Sequence, residues 1–182
     1  MHVMGTAVRT LLLAIQSEYG DEALAKVKGA LPEPVQRELE KPVLASATYP
    51  IEVSASLHEA IRTQLGGGTF VVNRKLGIAA ARMDFSGVHR VFIRVADYET
   101  LLHATARAWV RYNSHGRVEW SHITARSATG TVRYVLGYTE AMWHAIAGRI
   151  ETILILGGAK SASCVVEAFS DKHVVYQVTW TP

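Results

Sequence analysis

Two stretches, Arg117-Val-Glu-Trp-Ser-His-Ile123 and Val174-Val-Tyr-Gln-Val-Thr-Trp180, decide the fold class of this chain. In the first, Val118, Trp120 and His122 alternate with Glu119 and Ser121. In the last, Val174, Tyr176, Val178 and Trp180 take one face while Val175, Gln177 and Thr179 take the other. Successive side chains of a strand point to opposite faces, so a period of two predicts strands with one buried side. Between them Val132, Tyr134 and Leu136 alternate with Arg133 and Val135, and Cys164 to Val166 marks a further strand. From about Thr139 to Leu156 the period turns helical: Met142, Ile146, Ile150, Ile153 and Leu154 are expected inward, and Glu140, His144 and Glu151 outward. Gly157-Gly158 stops that helix. The resulting order is strand, strand, helix, strand, strand.

Upstream the chain reads as helices. Met1 to Ile15 is expected to be a short amphipathic helix, with Val8, Leu11, Leu12, Ile15 and Tyr19 at helical spacing until Gly20-Asp21 stops one helix and caps the next. Leu31-Pro-Glu-Pro34 predicts an extended break, because a proline disfavours helix in the residue before it. Val35 to Glu40 adds a turn or two. Tyr49-Pro50 starts a helix over about Glu52 to Leu65, which Gly66-Gly-Gly68 ends, and Phe70 to Met83 forms another. Tyr98 to Tyr112 is the best defined, capped by Asp97 and burying Tyr98, Leu101, Leu102, Thr105 and Trp109. With no linker or repeat, the expectation is one domain over 1–182: an α+β fold with an N-terminal helical layer (about 1–115) packed on an antiparallel sheet of β-β-α-β-β order (about 116–182).

Composition excludes several classes. The 182 residues are 49% hydrophobic and 19% charged, with one cysteine and a net charge of +3. That is an ordinary globular balance, without the clustered positive charge of a nucleic-acid binder. Arg90/Arg94 and Arg107/Arg111 are i,i+4 pairs and read as solvated helix faces. No apolar run reaches the roughly 18 residues of a membrane span. The N-terminus lacks the cationic head of a signal peptide, and a single thiol fits a reducing compartment. The expected location is cytoplasmic.

Thr48-Tyr-Pro50, Leu65-Gly-Gly-Gly68, Trp109-Val-Arg-Tyr-Asn113 with Gly116, Gly148, Gly157-Gly-Ala159 and Tyr176-Gln-Val-Thr-Trp180 follow one another in a familiar order. In that order the chain resembles the superfamily of transport-particle scaffold subunits, 4-vinyl-reductase-like sensory domains and haem-nitric-oxide-binding domains. Within it, the resemblance points to a paralogous set of roughly 200-residue myxobacterial proteins of unknown function. The resemblance implies a homodimer with a hydrophobic pocket between helices and sheet, in a superfamily whose functions vary widely.

The residues argue against most chemistries. Among eight histidines none form His-Glu-x-x-His or an i,i+4 pair, and Cys164 alone cannot build a zinc shell. The haem-binding branch uses a helix histidine and a Tyr-x-Ser-x-Arg motif. His103 lies on a suitable helix but beside Arg107 and Arg111, and the tyrosine strand here reads Tyr134-Val-Leu-Gly-Tyr138. There is no Gly-x-Ser-x-Gly elbow and no phosphate loop. No catalytic residue, metal ligand or cofactor is therefore expected. The aromatic residues that fall in the resembling block leave one candidate site: Trp109, Tyr134 and Trp143 as the lining of a pocket for an apolar or aromatic ligand. The function expected is a non-catalytic regulatory or scaffold domain, dimeric with itself or docked on another protein. The alternative is a sensory domain with a small apolar ligand in that pocket.

Overall fold

The computed structural model describes residues 1–86, 88–170 and 172–182, with the backbone alone for 88–90 and 92. In chain order they form β1 (His2–Met4), α1 (Gly5–Gly29), α2 (Glu33–Glu40), β2 (Thr48–Pro50), α3 (Ile51–Gln64), α4 (Val71–Asp84), α5 (Val88–Val95) and α6 (Tyr98–Tyr112). Then come β3 (Arg117–Ser121), β4 (Ser127–Arg133), α7 (Glu140–Leu156), β5 (Ser161–Phe169) and β6 (His173–Thr181). The α+β class and the closing β-β-α-β-β order are as the sequence predicts.

The four strands pair antiparallel in the order β3-β4-β6-β5. Val132 sits opposite Val174, Gly130 opposite Tyr176, and Cys164 opposite Val178. This register puts Val174, Tyr176, Val178 and Trp180 on one buried face, as their period of two requires. Cys164 is buried among them as a small apolar side chain, its thiol pushed up by burial and then by the nearby Glu151 carboxylate.

Helix α7 is sandwiched between this sheet and the helical layer. Trp143, Ala147, Ile150 and Leu154 face the sheet, and the Tyr176 hydroxyl donates to the Trp143 carbonyl at 3.1 Å. Met142 faces the other way, into the core of α1, α3 and α4. Helices α4 and α7 cross at backbone contact distance. A Cβ on Gly77 would collide with the Ala145 carbonyl, and one on Gly148 with the Arg74 carbonyl. Burial on both sides overturns one expectation: Glu151, expected outward, is 9% exposed. It pairs with Arg74 on α4 (3.0 Å) and accepts the Cys164 backbone N–H at 2.8 Å. A carboxylate inside the fold is tolerated because charge and hydrogen bonds are both matched.

Several boundaries follow their sequence signals. Asp97 caps α6 by accepting the Thr100 N–H at 2.7 Å, and Thr139 caps α7. Gly20 breaks α1 with φ +83°, where a stop is expected. Others differ. Met1 to Ile15 is not helical throughout, because β1 pairs with β2, Val3 against Tyr49. Helix α2 starts two residues before Val35, since proline is compatible with the first helical turn. The side chain of Arg90 lies outside the described residues.

Candidate functional site

Between α6, α7, the helical layer and the strands β3 and β4 lies a cavity of about 250 Å³. Most of its wall is apolar, including Leu11, Leu76, Leu101, Ile146, Ile150 and Val118. On α6, Ala104, Ala108 and Trp109 face it at helical spacing, so small side chains create the space that Trp109 bounds.

The structure separates the three candidate residues. Trp109 is on the wall, 8% exposed, its indole N–H donating to the His115 carbonyl at 3.0 Å. Trp143 is fully buried behind the wall and reaches the cavity through Tyr138, whose ring stacks on it at 4.4 Å and lies tilted against Trp109 at 5.4 Å. Tyr134 is not part of the site: it is 66% exposed, with Arg117 5.1 Å over its ring. Strand β4 ends at Arg133, and Tyr134 takes a left-handed φ of +60°. That turn reverses the alternation, so Val135 points inward while Tyr134 and Leu136 point out.

Tyr138 belongs where Tyr134 was expected. Its hydroxyl donates to Asn113 Oδ1 at 2.6 Å, and burial raises its phenol well above the ordinary range, partly offset by Arg149. Trp120 also lines the cavity, its indole N–H donating to Thr105 Oγ1 at 3.1 Å.

One side of the wall is polar. Ser54 and His58, i and i+4 on α3, line the cavity together with Asp84 from the end of α4 and Arg149 from α7. Arg149 Nη1 donates to Asp84 Oδ2 at 2.6 Å, and the Thr10 hydroxyl donates to Asp84 Oδ1 at 3.0 Å. Asn73 Nδ2 donates to the His58 carbonyl at 2.9 Å and approaches His58 Nδ1 at 3.3 Å. Burial, then the Arg149 charge, pushes His58 down to about 3, so its ring is neutral at physiological pH. The sequence carried a signal for this pair: Ser54 and His58 share the stripe of Leu57 and Ile61, and polar side chains on an apolar face need a partner.

His103 points away from this site, half-exposed beside Glu99 at 3.8 Å. Among the described residues no three His, Cys, Asp or Glu side chains gather as a metal site, and no helix is long and apolar enough to cross a membrane.

No family model and no curated protein matches the chain by sequence. Solved structures do match by shape. A mutant Fe(II) unliganded H-NOX protein from K. algicida superposes with a TM-score of 0.74 at 14% identity, covering 98% of this chain and 97% of that one. The unmutated K. algicida protein gives 0.69 at 16%, with the same coverage. The fold is that of an H-NOX domain. An oxygen-binding H-NOX domain related to soluble guanylate cyclases, in its oxygen complex, gives 0.68 at 14% identity, covering 98% of this chain and 95% of its own. At such identities the likeness fixes the fold and leaves the activity to the residues of the site.

Proposed function

We propose that this chain is a non-catalytic sensory domain that binds a small, mostly apolar molecule in the cavity between α6, α7 and the helical layer. Occupancy would be passed on by protein contact, through a second copy or another protein. The observation that carries this reading is the cavity itself. A rigid scaffold packs solid at crystal-like density, whereas about 250 Å³ lined chiefly by apolar side chains is space kept for an occupant. An apolar cavity of roughly 150 Å³ holds benzene, so this one suits a molecule of about ten to fifteen heavy atoms. The fold likeness to H-NOX domains, an Fe(II) protein and an oxygen complex among them, supports a small-molecule sensor over a scaffold alone.

The residues do not fit a haem. The histidine on α6, His103, faces outward. The cavity's histidine, His58, stands on α3, where the Asn73 amide donates toward Nδ1 and so leaves the ring proton on Nε2, the nitrogen an iron would need. Two propionates need cations, yet the arginine of the described wall, Arg149, is already bonded to Asp84.

The test is an NMR titration of 15N-labelled protein with naphthol, read at the indole N–H signals. Trp109 and Trp120 line the cavity, whereas Trp180 packs against Tyr98 away from it. The signals of Trp109 and Trp120 should move together while Trp180 stays. No movement, or equal movement of all signals, overturns the reading.

A further inference from the structure

The polar side of the wall has a definite chemistry. Asn73 Nδ2 must donate, because it bonds the His58 carbonyl at 2.9 Å, so the facing His58 Nδ1 can only accept. The ring proton therefore sits on Nε2. Neither His58 Nε2 nor Ser54 Oγ has a hydrogen-bond partner among the described residues. Among the described residues, the fully enclosed unpartnered side-chain atoms are Asn73 Oδ1, Trp143 Nε1 and Trp180 Nε1, and neither His58 Nε2 nor Ser54 Oγ is one of them. Both residues are over nine-tenths buried and both line the cavity. A ring N–H donor and a hydroxyl thus stand one helical turn apart on α3, facing an otherwise apolar space.

Charge at this end is balanced. Arg149 lies close enough to influence both His58 and Tyr138, and its positive charge is matched by Asp84, which Thr10 also holds. A carboxylate arriving here would add an uncompensated buried negative charge beside Asp84; an ammonium would add a positive one beside Arg149. A purely apolar molecule would strip water from Ser54 and His58 and give nothing back.

We propose that Ser54 and His58, backed by the closed Asp84–Arg149 pair, form a head-group subsite for one uncharged hydrogen-bonding group, a hydroxyl or a carbonyl, on an otherwise apolar ligand. This rests on the cavity reading and narrows it to a ligand class. His58 Nε2 donates to the ligand oxygen, and the Ser54 hydroxyl donates or accepts according to whether that oxygen carries a proton.

Calorimetric titration with three probes tests it: naphthalene, naphthol and naphthoate, the last two substituted at the same ring position. At neutral pH the intact protein should bind naphthol about tenfold more tightly than naphthalene, and naphthoate at least about tenfold more weakly than naphthol. Asp84→Asn, which leaves Arg149 unmatched, should strengthen naphthoate about tenfold relative to naphthol. Naphthoate binding the intact protein as tightly as naphthol overturns the neutral head group while the cavity reading stands. Failure of all three to bind removes the cavity reading and the proposal with it. The ranking in the intact protein decides without any variant, so a loss of fold in Asp84→Asn leaves the test intact. Ser54→Ala, small and helix-compatible, should erase most of the advantage of naphthol over naphthalene. An unchanged ratio in Ser54→Ala contradicts the subsite.

Discussion

Replacing His58 with glutamine should flatten the acid dependence of stability. In the folded chain, burial first and Arg149 second hold this ring neutral down to about pH 3, against an ordinary value of 6.5 in the unfolded chain. As pH falls below 6.5, the unfolded state takes up a proton that the folded state refuses. The contribution of a neutral His58 is thus fully present above that value and is lost progressively until the pH passes about 3. One proton of difference corresponds to about 1.4 kcal/mol per pH unit, so the step from pH 6 to pH 5 should cost roughly 1 kcal/mol through this residue alone. The assay is urea unfolding followed by circular dichroism at half-unit steps from pH 7 to 4.5, in parent and His58→Gln. The other histidines and the carboxylates are common to both proteins and cancel in the difference. The gap between the two stability curves should narrow by roughly 1 kcal/mol per unit below pH 6. Parallel curves would refute this reasoning, because they would mean that His58 takes up its proton equally in both states.

Gly148→Ala places a methyl group against the Arg74 carbonyl at the crossing of α4 and α7. Although alanine favours an exposed helix, the variant should lose roughly 1–3 kcal/mol in thermal unfolding, and a neutral or stabilising result contradicts the close crossing. Glu151→Gln leaves Arg74 without its counter-charge while keeping an acceptor for the Cys164 N–H. With Arg74 partly exposed, a loss of about 2 kcal/mol in urea unfolding is expected. Tyr134→Ala should alter stability by no more than about 0.5 kcal/mol and leave naphthol affinity unchanged, since the ring lies outside the fold. A large effect on binding would return Tyr134 to the site.

The fold was largely legible because its signals are local. The alternation of Val174, Tyr176, Val178 and Trp180, the Asp97 cap and the Gly20 stop all act within a few residues, and the chain obeys each. The β1–β2 pairing escaped because its partner for Val3 is Tyr49, far along the chain, and three residues carry no period of their own. Tyr134 was misplaced by one backbone angle: a positive φ at a non-glycine residue leaves no mark in a pattern of apolar and polar letters. Glu151 misled for a different reason. On a helix packed on both faces, outward has no meaning, and only the position of Arg74 on α4 reveals why a carboxylate sits there. The aromatic part of the site was half legible, with Trp109 placed on the wall and Trp143 behind it. The polar part needed the fold, because Ser54, His58, Asp84 and Arg149 line one cavity only when three helices come together.

The cavity as a ligand site is tested most directly by filling it. Ala108 lines the space on α6, one turn after Ala104. Ala108→Leu adds three carbons into a void, which should hold or raise the melting temperature while lowering naphthol affinity at least about tenfold. Unchanged affinity in the filled variant would contradict the account.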